Sequence, residues 1–292
     1  MNNSFNFPTF TEIFPKEKRR FKLLREYLRY SWHKTWCYAE CKEFTNYLNK
    51  SPVWKKLFNQ NLYRVNALLG TYCDKKFNKR QRLNIIMENF SYAEKLFGLT
   101  YCNKLVEQKN LCLLELSDEL KLYLSVNNID PLEGFFSLNI QNSKGLHIYD
   151  ASFTFLASNK LLVSSIQGPN TASAQDLIKS ATKQLHGVRP MFMLVNVFKF
   201  IAQHFELELL GIPHKRQAKY RWNDHSKLLF NYDAFWQENG GLITPNKYWH
   251  LPTTLDIREL NTIPSKKRSM YKKRYELFNK IEKSIQSLDR KQ

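Results

Sequence analysis

The stretch 161–212 places the strongest constraint on the fold of this chain. Its segments are, in order, an apolar run at 161–166, a polar corner at 167–170, helical patterns at 174–185 and 191–205, and a second apolar run at 207–212. Short apolar runs that end at Gly and Pro are typical of buried strands. This order of strand, polar corner, helices and strand directs polar groups and helix N-termini toward a ligand.

The hydrophobic pattern changes near residue 105. Upstream, apolar residues recur at helical spacing. Downstream, short alternating runs predict strands at 111–116, 120–126, 135–140, 146–156 and 160–166. We therefore predict an α+β fold, in which a helical N-terminal region packs on a mixed sheet flanked by helices. The predicted divisions are a helical region at 1–104, an α+β domain at 105–262 and a basic C-terminal helix within 263–292.

The charge balance favours an acidic partner. The chain has 45 Lys and Arg against 26 Asp and Glu, a formal net charge of +19. This suits nucleic acid, an anionic membrane surface, a phosphate-bearing cofactor or an acidic protein, and it also fits a soluble protein with a basic surface. No helix-turn-helix, zinc-finger or RNP1 signature is present, so specific nucleic-acid recognition is disfavoured.

A basic amphipathic helix is predicted at 16–30. Phe21, Leu24 and Leu28 form an apolar stripe that Lys and Arg residues surround. The simpler interpretation is that the stripe docks on the protein while the basic face is solvated. The alternative is an interfacial helix held by anionic lipid headgroups.

Neither a metal site nor a disulfide framework is indicated. The five cysteines are odd in number and irregularly spaced, and Cys37 and Cys41, near His33, lack the spacing signal of a further ligand. The first twenty residues have no apolar signal-peptide core, and no run approaches the roughly 20 apolar residues of a membrane span. We expect a cytoplasmic protein, with peripheral membrane attachment as an open alternative. The sequence does not indicate the oligomeric state.

The polar corner at 167–170 is a candidate ligand site. Gly168 would let a ligand approach closely, although the same four residues also suit an ordinary turn. The corner is not a nucleotide-binding loop, because neither G-x-x-x-x-G-K nor G-x-G-x-x-G is present. The signatures G-x-S-x-G and H-E-x-x-H are also absent, which disfavours hydrolase and zinc-enzyme classes.

The corner 186–190 is more specific. Gly187 ends one helix and Pro190 opens the next. Arg189 is then beside a helix N-terminus, where an anion is favoured, and His186 is a candidate for proton transfer. The alternative is a structural corner in which Arg189 pairs with a carboxylate such as Asp233 or Glu238.

The sequence resembles the VirK/YbjX family of Gram-negative bacteria over about residues 20–285. The phrases that carry the resemblance are Glu133-Gly134, Ser165-Ile166-Gln167-Gly168-Pro169, Ala181-Thr182-Lys183 to Arg189-Pro190, Tyr232-Asp233 to Phe235-Trp236, Leu251-Pro252, and Ser265-Lys266-Lys267-Arg268 to Tyr271-Lys272-Lys273-Arg274-Tyr275. The family's usual Arg-Pro-Tyr phrase is missing. The resemblance implies a domain of unknown function linked to virulence, to resistance against cationic antimicrobial peptides and to display of outer-membrane virulence factors. It implies no established reaction.

The order of elements is also similar to that of GNAT-type acyltransferases. In that likeness the 161–212 corner binds the pyrophosphate of an acyl-coenzyme A, and the short aromatic helix near 230–238 supplies a tyrosine acid. The glycine-spaced phosphate loop of those enzymes is absent here. The likeness implies an acyl-CoA donor, or an acidic acyl carrier protein, and no metal.

Two function hypotheses follow. The first is an acyltransferase-like enzyme of envelope lipid or protein modification, in which arginines hold a phosphate, Gln167 orients the acyl carbonyl, and His186 or Tyr232 moves a proton. Its predicted site residues are His186, Tyr232 and Asp233 for catalysis, and Gln167, Gly168, Arg189 and Arg216 for donor binding. The second is a non-enzymatic basic factor bound peripherally to the inner membrane or to an acidic partner.

Overall fold

The α+β fold predicted from the sequence is confirmed. The computed structural model describes residues 4–14, 19–220 and 230–288. The first residues of the helix predicted at 16–30 and the last residues of the segment 263–292 lie outside this part of the chain. Helices precede a mixed sheet, further helices flank the sheet, and a long helix follows it.

The N-terminal part of the chain is helical. Its helices are α1 (Phe10–Ile13), α2 (Arg20–Trp36), α3 (Tyr38–Lys50), α4 (Pro52–Gln60), α5 (Asn66–Leu69), α6 (Lys79–Phe97) and α7 (Leu99–Gln108). Local capping explains the limits of α6. The Asn78 side chain accepts from the Gln81 backbone N–H at 2.9 Å, and the Gln81 side chain accepts from the Asn78 N–H at 2.9 Å. At the other end Gly98, with φ +79°, ends the helix.

The C-terminal part contains an eight-stranded sheet. Its strands are β1 (Asn110–Glu115), β2 (Leu120–Val126), β3 (Phe136–Asn142), β4 (His147–Leu156), β5 (Lys160–Gln167), β6 (Glu208–Gly211), β7 (Leu242–Ile243) and β8 (Trp249–Leu251). The strand order is β1-β2-β3-β4-β5-β6-β8-β7. Strands β1 to β5 form an antiparallel meander, while β5 and β6 are parallel because helices connect them.

Strand β5 extends beyond its parallel neighbour. Its first four residues pair with β6, ending at Val163 opposite Gly211. Ser164 is a bulge residue, since Val163 pairs with Phe153 and Ser165 pairs with Ser152 on β4. The last part of β5, through Gln167, therefore has no partner strand on its β6 side within the described residues, which leaves a gap in the sheet there.

The remaining helices pack beside the sheet. They are α8 (Ala174–Gln184) and α9 (Pro190–His204), which connect β5 to β6, then α10 (Tyr232–Glu238) between β6 and β7, and the terminal α11 (Ser265–Gln286). Helix α9 packs on β4 through Phe198 and Phe153, whose ring centroids are 5.3 Å apart. On its outer side α9 contacts α11 through Phe200 and Phe278. These contacts fix α9 between the sheet and α11.

Aromatic packing joins the helical region to the sheet. Trp54 of α4 stacks on Phe90 of α6 at 4.4 Å, and Phe90 stacks on Phe135, beside β3, at 5.4 Å. All three side chains belong to one buried cluster that includes residues of both regions. The division into three parts at residues 104 and 262 stays a prediction.

The stripe of α2 is a correction to the sequence analysis. The side chains of Phe21, Leu24 and Leu28 face solvent, so the expectation that they dock the helix on the protein is wrong. The helix uses its opposite face, where buried Tyr30 donates a hydrogen bond to the carbonyl of Pro8 in the N-terminal arm. Periodicity identified an apolar face correctly, but it carried no information about what covers that face.

No helix in the described part of the chain is both long enough and apolar enough to span a membrane.

Candidate functional site

A buried carboxylate lies at the open end of β5. Glu133 belongs to a single 3-10 turn, Pro131–Glu133, before β3, and the residue is 2% exposed. The side chain of Asp130 caps this turn by accepting from Leu132 N at 2.9 Å. Gly134 follows with φ +120°, and a Cβ there would lie 2.6 Å from the carbonyl oxygen of Phe153. The backbone therefore reaches this position only with glycine after Glu133.

The polar side chains of Gln167 and Lys219 contact the Glu133 carboxylate. Gln167 Nε2 donates to Oε2, and Lys219 Nζ lies 3.3 Å from the same oxygen. Burial raises the pKa of Glu133 to about 7, against the opposing effect of the Lys219 charge. A carboxyl group with this pKa can accept or release a proton at neutral pH, as a general acid or base requires.

A buried hydroxyl group, with a buried thiol beside it, holds the backbone at Glu133. Ser164 Oγ, at the β5 bulge, donates to the Glu133 carbonyl and lies 3.0 Å from the Ser152 carbonyl. The fully buried Cys73 lies beside this serine, and burial raises the pKa of its thiol well above the ordinary value. Cys73 is therefore a neutral thiol at pH 7 and not a nucleophilic thiolate.

Tyr232 of α10 closes the gap beside β5. Its hydroxyl accepts from Ile166 N at 3.0 Å and donates to Ile166 O at 3.1 Å. It takes the place of a neighbouring strand, because it satisfies the backbone groups that β6 leaves open. Burial raises the pKa of Tyr232. The predicted role of Tyr232 in proton transfer stays a prediction, and its hydroxyl hydrogen is directed at the backbone in this structure.

Asp233 and Arg216 have structural contacts in the same region. Asp233 Oδ1 accepts from His214 N at 3.0 Å and from Trp249 Nε1 at 2.8 Å. Arg216 Nη2 lies 2.5 Å from the buried carboxylate of Asp74. The predicted phosphate contact of Arg216 would require this guanidinium to give up part of that ion pair. It stays a prediction, as does the catalytic role of Asp233.

Unsatisfied polar atoms lie in the segment after β6. Gln217 is fully buried, and neither of its side-chain amide atoms has a hydrogen-bond partner among the residues that the structure describes. The same is true of His214 Nδ1. Buried polar groups are normally hydrogen-bonded, so orphans of this kind mark a position where a further group can bind. They lie in the same segment as Lys219, which contacts Glu133.

The second predicted corner lines a separate cleft. This cleft has a volume of about 720 Å³ and lies between α9, α11 and the segments after α10 and β8. Basic side chains outnumber acidic ones in the lining of this cleft. They are Arg189, Lys199, Arg258 and Arg274. Arg189 precedes the first residue of α9, so its side chain and the helix N-terminus provide positive charge on the same side.

His186 lies at the edge of this cleft and is held by its backbone. Its φ is +52°, and its carbonyl accepts from Arg274 Nε at 3.1 Å and Nη2 at 2.8 Å. Partial burial, with the nearby charges of Lys273 and Arg274, lowers the pKa of the His186 ring. The ring is therefore neutral at pH 7.

Tyr149 of β4 lies beside the polar corner 167–170. A Cβ on Gly168 would lie 2.9 Å from the Tyr149 ring, so the predicted corner and this ring are in close contact. Burial raises the pKa of Tyr149, and the charge of Arg189 opposes this rise. The polar corner thus contacts the Glu133 carboxylate through Gln167 and the Tyr149 ring at Gly168.

The structure separates the predicted residues. Gln167 and Tyr232 lie at the end of β5, with Gly168 directly after Gln167. Asp233 contacts Trp249 of β8, and Arg216 contacts Asp74. Arg189 lines the cleft, and His186 precedes Gly187 of its lining. Glu133 appeared in the sequence only within a family phrase, and no role was predicted for it. One sequence signal could have indicated Glu133. It is a single acidic residue between Leu132 and the Gly-Phe-Phe sequence at the start of a strand.

A third opening lies on the other side of Lys219. It is a cavity of about 470 Å³ lined by Lys219, Asp130, Ala218 and the inner face of α2. Lys219 Nζ lies 3.4 Å from Asp130 Oδ2 as well as contacting Glu133. The Lys219 side chain therefore contacts the Glu133 carboxylate and also lines this cavity.

Comparisons with known proteins identify the family. Residues 19–287 match the family described as "Protein of unknown function (DUF535)". A Haemophilus influenzae protein described as uncharacterized is 50% identical over 289 residues, 98% of this chain and 99% of that protein. The membrane protein LapB of Mannheimia haemolytica is 27% identical over 221 residues, 75% of this chain and 96% of that protein. The uncharacterized protein YbjX of Escherichia coli is 26% identical over 180 residues, 59% of this chain and 53% of that protein.

No solved structure matches the chain, so the likeness to GNAT acyltransferases stays a prediction. The family match covers most of the sequence. The chain therefore belongs to the DUF535 family, as its resemblance to the VirK/YbjX proteins predicted.

Proposed function

We propose that the protein is an acyltransferase-like enzyme in which Glu133 transfers the proton. The observation that carries this proposal is a buried carboxyl group with a pKa of about 7, in contact with Gln167 and Lys219 at the end of β5. A structural carboxylate in an ion pair usually has a lowered pKa, so this raised pKa favours acid–base chemistry.

The basic cleft would hold the donor. Its size suits the phosphate-bearing part of an acyl-CoA, or the phosphopantetheine arm of an acyl carrier protein. Arg189 and the N-terminus of α9 would contact the phosphate. The net charge of +19 would also attract an acidic carrier protein. Gln167, which contacts Glu133, would orient the acyl carbonyl.

The acceptor would enter through the cavity beside Lys219. Its hydroxyl or amine would attack the thioester carbonyl and lose a proton to Glu133. The carbon–sulfur bond would then break, and the proton would pass to the departing thiolate. This sequence requires no redox partner, since one acyl bond replaces another.

The proposed acceptors are lipids or proteins of the cell envelope. This setting rests on the resemblance to VirK/YbjX proteins, which implies roles in virulence and in resistance to antimicrobial peptides. A cytoplasmic position at the inner membrane would give access to such acceptors. A non-enzymatic role at that membrane is the second candidate, and the solvent-facing stripe of α2 favours it.

Donor binding is the first test of the enzyme proposal. Thermal shift and native mass spectrometry would be measured with acyl-CoA, free CoA and acylated carrier protein. We expect one acylated donor to stabilise the protein and to form a one-to-one complex. Arg189→Ala should weaken this complex, whereas Lys144→Ala, which removes one exposed positive charge outside the cleft, should not. Absence of binding by both acylated donors would overturn the proposal.

A further inference from the structure

The outward face of α2 is apolar over the whole length of the helix. The exposed side chains, with their exposed fractions, are Phe21 91%, Leu24 56%, Leu28 59%, Trp32 68% and Trp36 60%. Successive members are three or four residues apart, so they form one continuous stripe on a 17-residue helix. An apolar patch of this length on a folded protein normally marks an interaction site.

The opposite face already attaches α2 to the protein. Tyr30 is buried and donates to the Pro8 carbonyl, and Lys34 Nζ lies 3.1 Å from the same oxygen. The helix therefore cannot bury its outer stripe by rotation without losing these contacts. The stripe is available to a partner while the rest of the fold stays as it is.

Positive charge borders the stripe. Arg20, Arg25 and Arg29 are exposed on the same helix. Glu26 Oε1 lies 3.0 Å from Arg25 Nη2, and Glu26 is the single acidic residue within 20–36. Exposed apolar side chains bordered by arginine are the composition of a helix that lies in the interface of an anionic membrane.

The aromatic residues at the end of the stripe suit the same environment. The Trp32 and Trp36 rings stack with centroids 6.4 Å apart, and Tyr38 next to them is 70% exposed. Lys79 Nζ lies 5.4 Å from the Trp36 ring centroid and donates to the Trp36 carbonyl at 2.7 Å. Trp and Tyr prefer the headgroup level of a bilayer, because each ring has an apolar body and a polar edge.

We propose that the outer face of α2 inserts into the headgroup region of an anionic bilayer. A second copy of the chain fits this face less well, because pairing two stripes would bring two rows of arginine together on chains of net charge +19. This inference goes beyond the proposed enzyme activity and holds without it.

Vesicle sedimentation of the full chain tests this proposal. The probes are phosphatidylcholine vesicles with and without about one third phosphatidylglycerol. We expect binding to the anionic vesicles that weakens as salt is added. The double variant Phe21→Ser, Trp32→Ser should bind the anionic vesicles at least about tenfold more weakly, because each aromatic ring would bury apolar area in the membrane. Arg25→Ala should lose about fivefold.

A matched control separates this surface from apolar exposure in general. Leu242 and Ile243 of β7 are 73% and 57% exposed and lie outside α2. Leu242→Ser, Ile243→Ser should bind vesicles as the wild type does. Circular dichroism and the melting temperature should match in all variants, because each replaced side chain is exposed.

Three results would overturn the membrane proposal. They are equal binding of the wild type and the α2 double variant, binding without anionic lipid, and a wild-type dimer that the α2 variant converts to monomer. The last result would assign the face to a second copy. Donor binding by the α2 variant should stay unchanged, so failure of this proposal and failure of the enzyme proposal are distinguishable.

Discussion

Replacing Glu133 by glutamine should change how the stability of the protein depends on pH. The pKa of Glu133 rises from 4.5 to about 7 on folding, because burial disfavours the charged form. The folded protein then binds more protons than the unfolded chain between these values. The stability that this group contributes is present in full below pH 4.5 and is lost as the pH rises through 7.

The difference in pKa corresponds to about 3 kcal/mol, most of which falls between pH 5 and 8. Glutamine has a similar shape and does not titrate in this range. The free energy of unfolding of Glu133→Gln, relative to that of the wild type, should therefore increase by about 2 to 3 kcal/mol from pH 5 to pH 8. All other titrating groups are shared by the two proteins and cancel in this difference.

Urea unfolding followed by tryptophan fluorescence and circular dichroism would measure this difference at several pH values. Glu115→Gln is the control, because Glu115 is an exposed residue whose pKa is lowered by its hydrogen bond with Lys121. That variant should not show the increase. If the Glu133→Gln and wild-type curves run parallel from pH 5 to 8, Glu133 does not have a pKa near 7 and the proposed proton transfer loses its basis.

Two further substitutions test the geometry around β5. Tyr232→Phe should lower the free energy of unfolding by about 1 to 3 kcal/mol, because Ile166 N loses its acceptor in a buried position, and thermal unfolding would detect the change. Gly134→Ala should be far more damaging, since its Cβ would lie 2.6 Å from the Phe153 carbonyl oxygen at φ +120°. Gly145→Ala, with φ +73° and open space around its Cβ, should cost only about 1 to 2 kcal/mol of backbone strain. Equal soluble yield and stability of the two alanine variants would contradict this account of Gly134.

Much of the sheet could be predicted from the sequence, because local pattern specifies it. Alternating apolar residues and the turn signal at 142–145 predicted strands β3 and β4 within a few residues of their observed limits. The proline and glycine at 187–190 likewise predicted where α8 ends and α9 begins. The two-residue strand β7 carries no such pattern, and no strand was predicted there.

The chemistry of the site could not be predicted in the same way. Glu133 is buried because a turn before β3, the end of β5 and the segment after β6 meet around it, and no local pattern encodes that meeting. The ion pair of Arg216 with Asp74 joins residues far apart in the sequence, so no local pattern indicates it, and the predicted phosphate contact of Arg216 stays a prediction. The predicted corner 186–190 lines a basic cleft. It could be identified because helix termini and their charges are local features of a sequence.

We propose that Glu133 moves a proton in acyl transfer. The most direct test of this proposal is the release of free thiol from a bound acyl donor at pH 7, measured by mass spectrometry with envelope lipids and proteins present as acceptors. The wild type and Glu133→Gln would be compared at equal donor occupancy. We expect thiol release and acceptor labelling by the wild type, and a rate at least about 100-fold lower in Glu133→Gln. Equal rates in the two proteins, or no transfer by donor-loaded wild type, would contradict it.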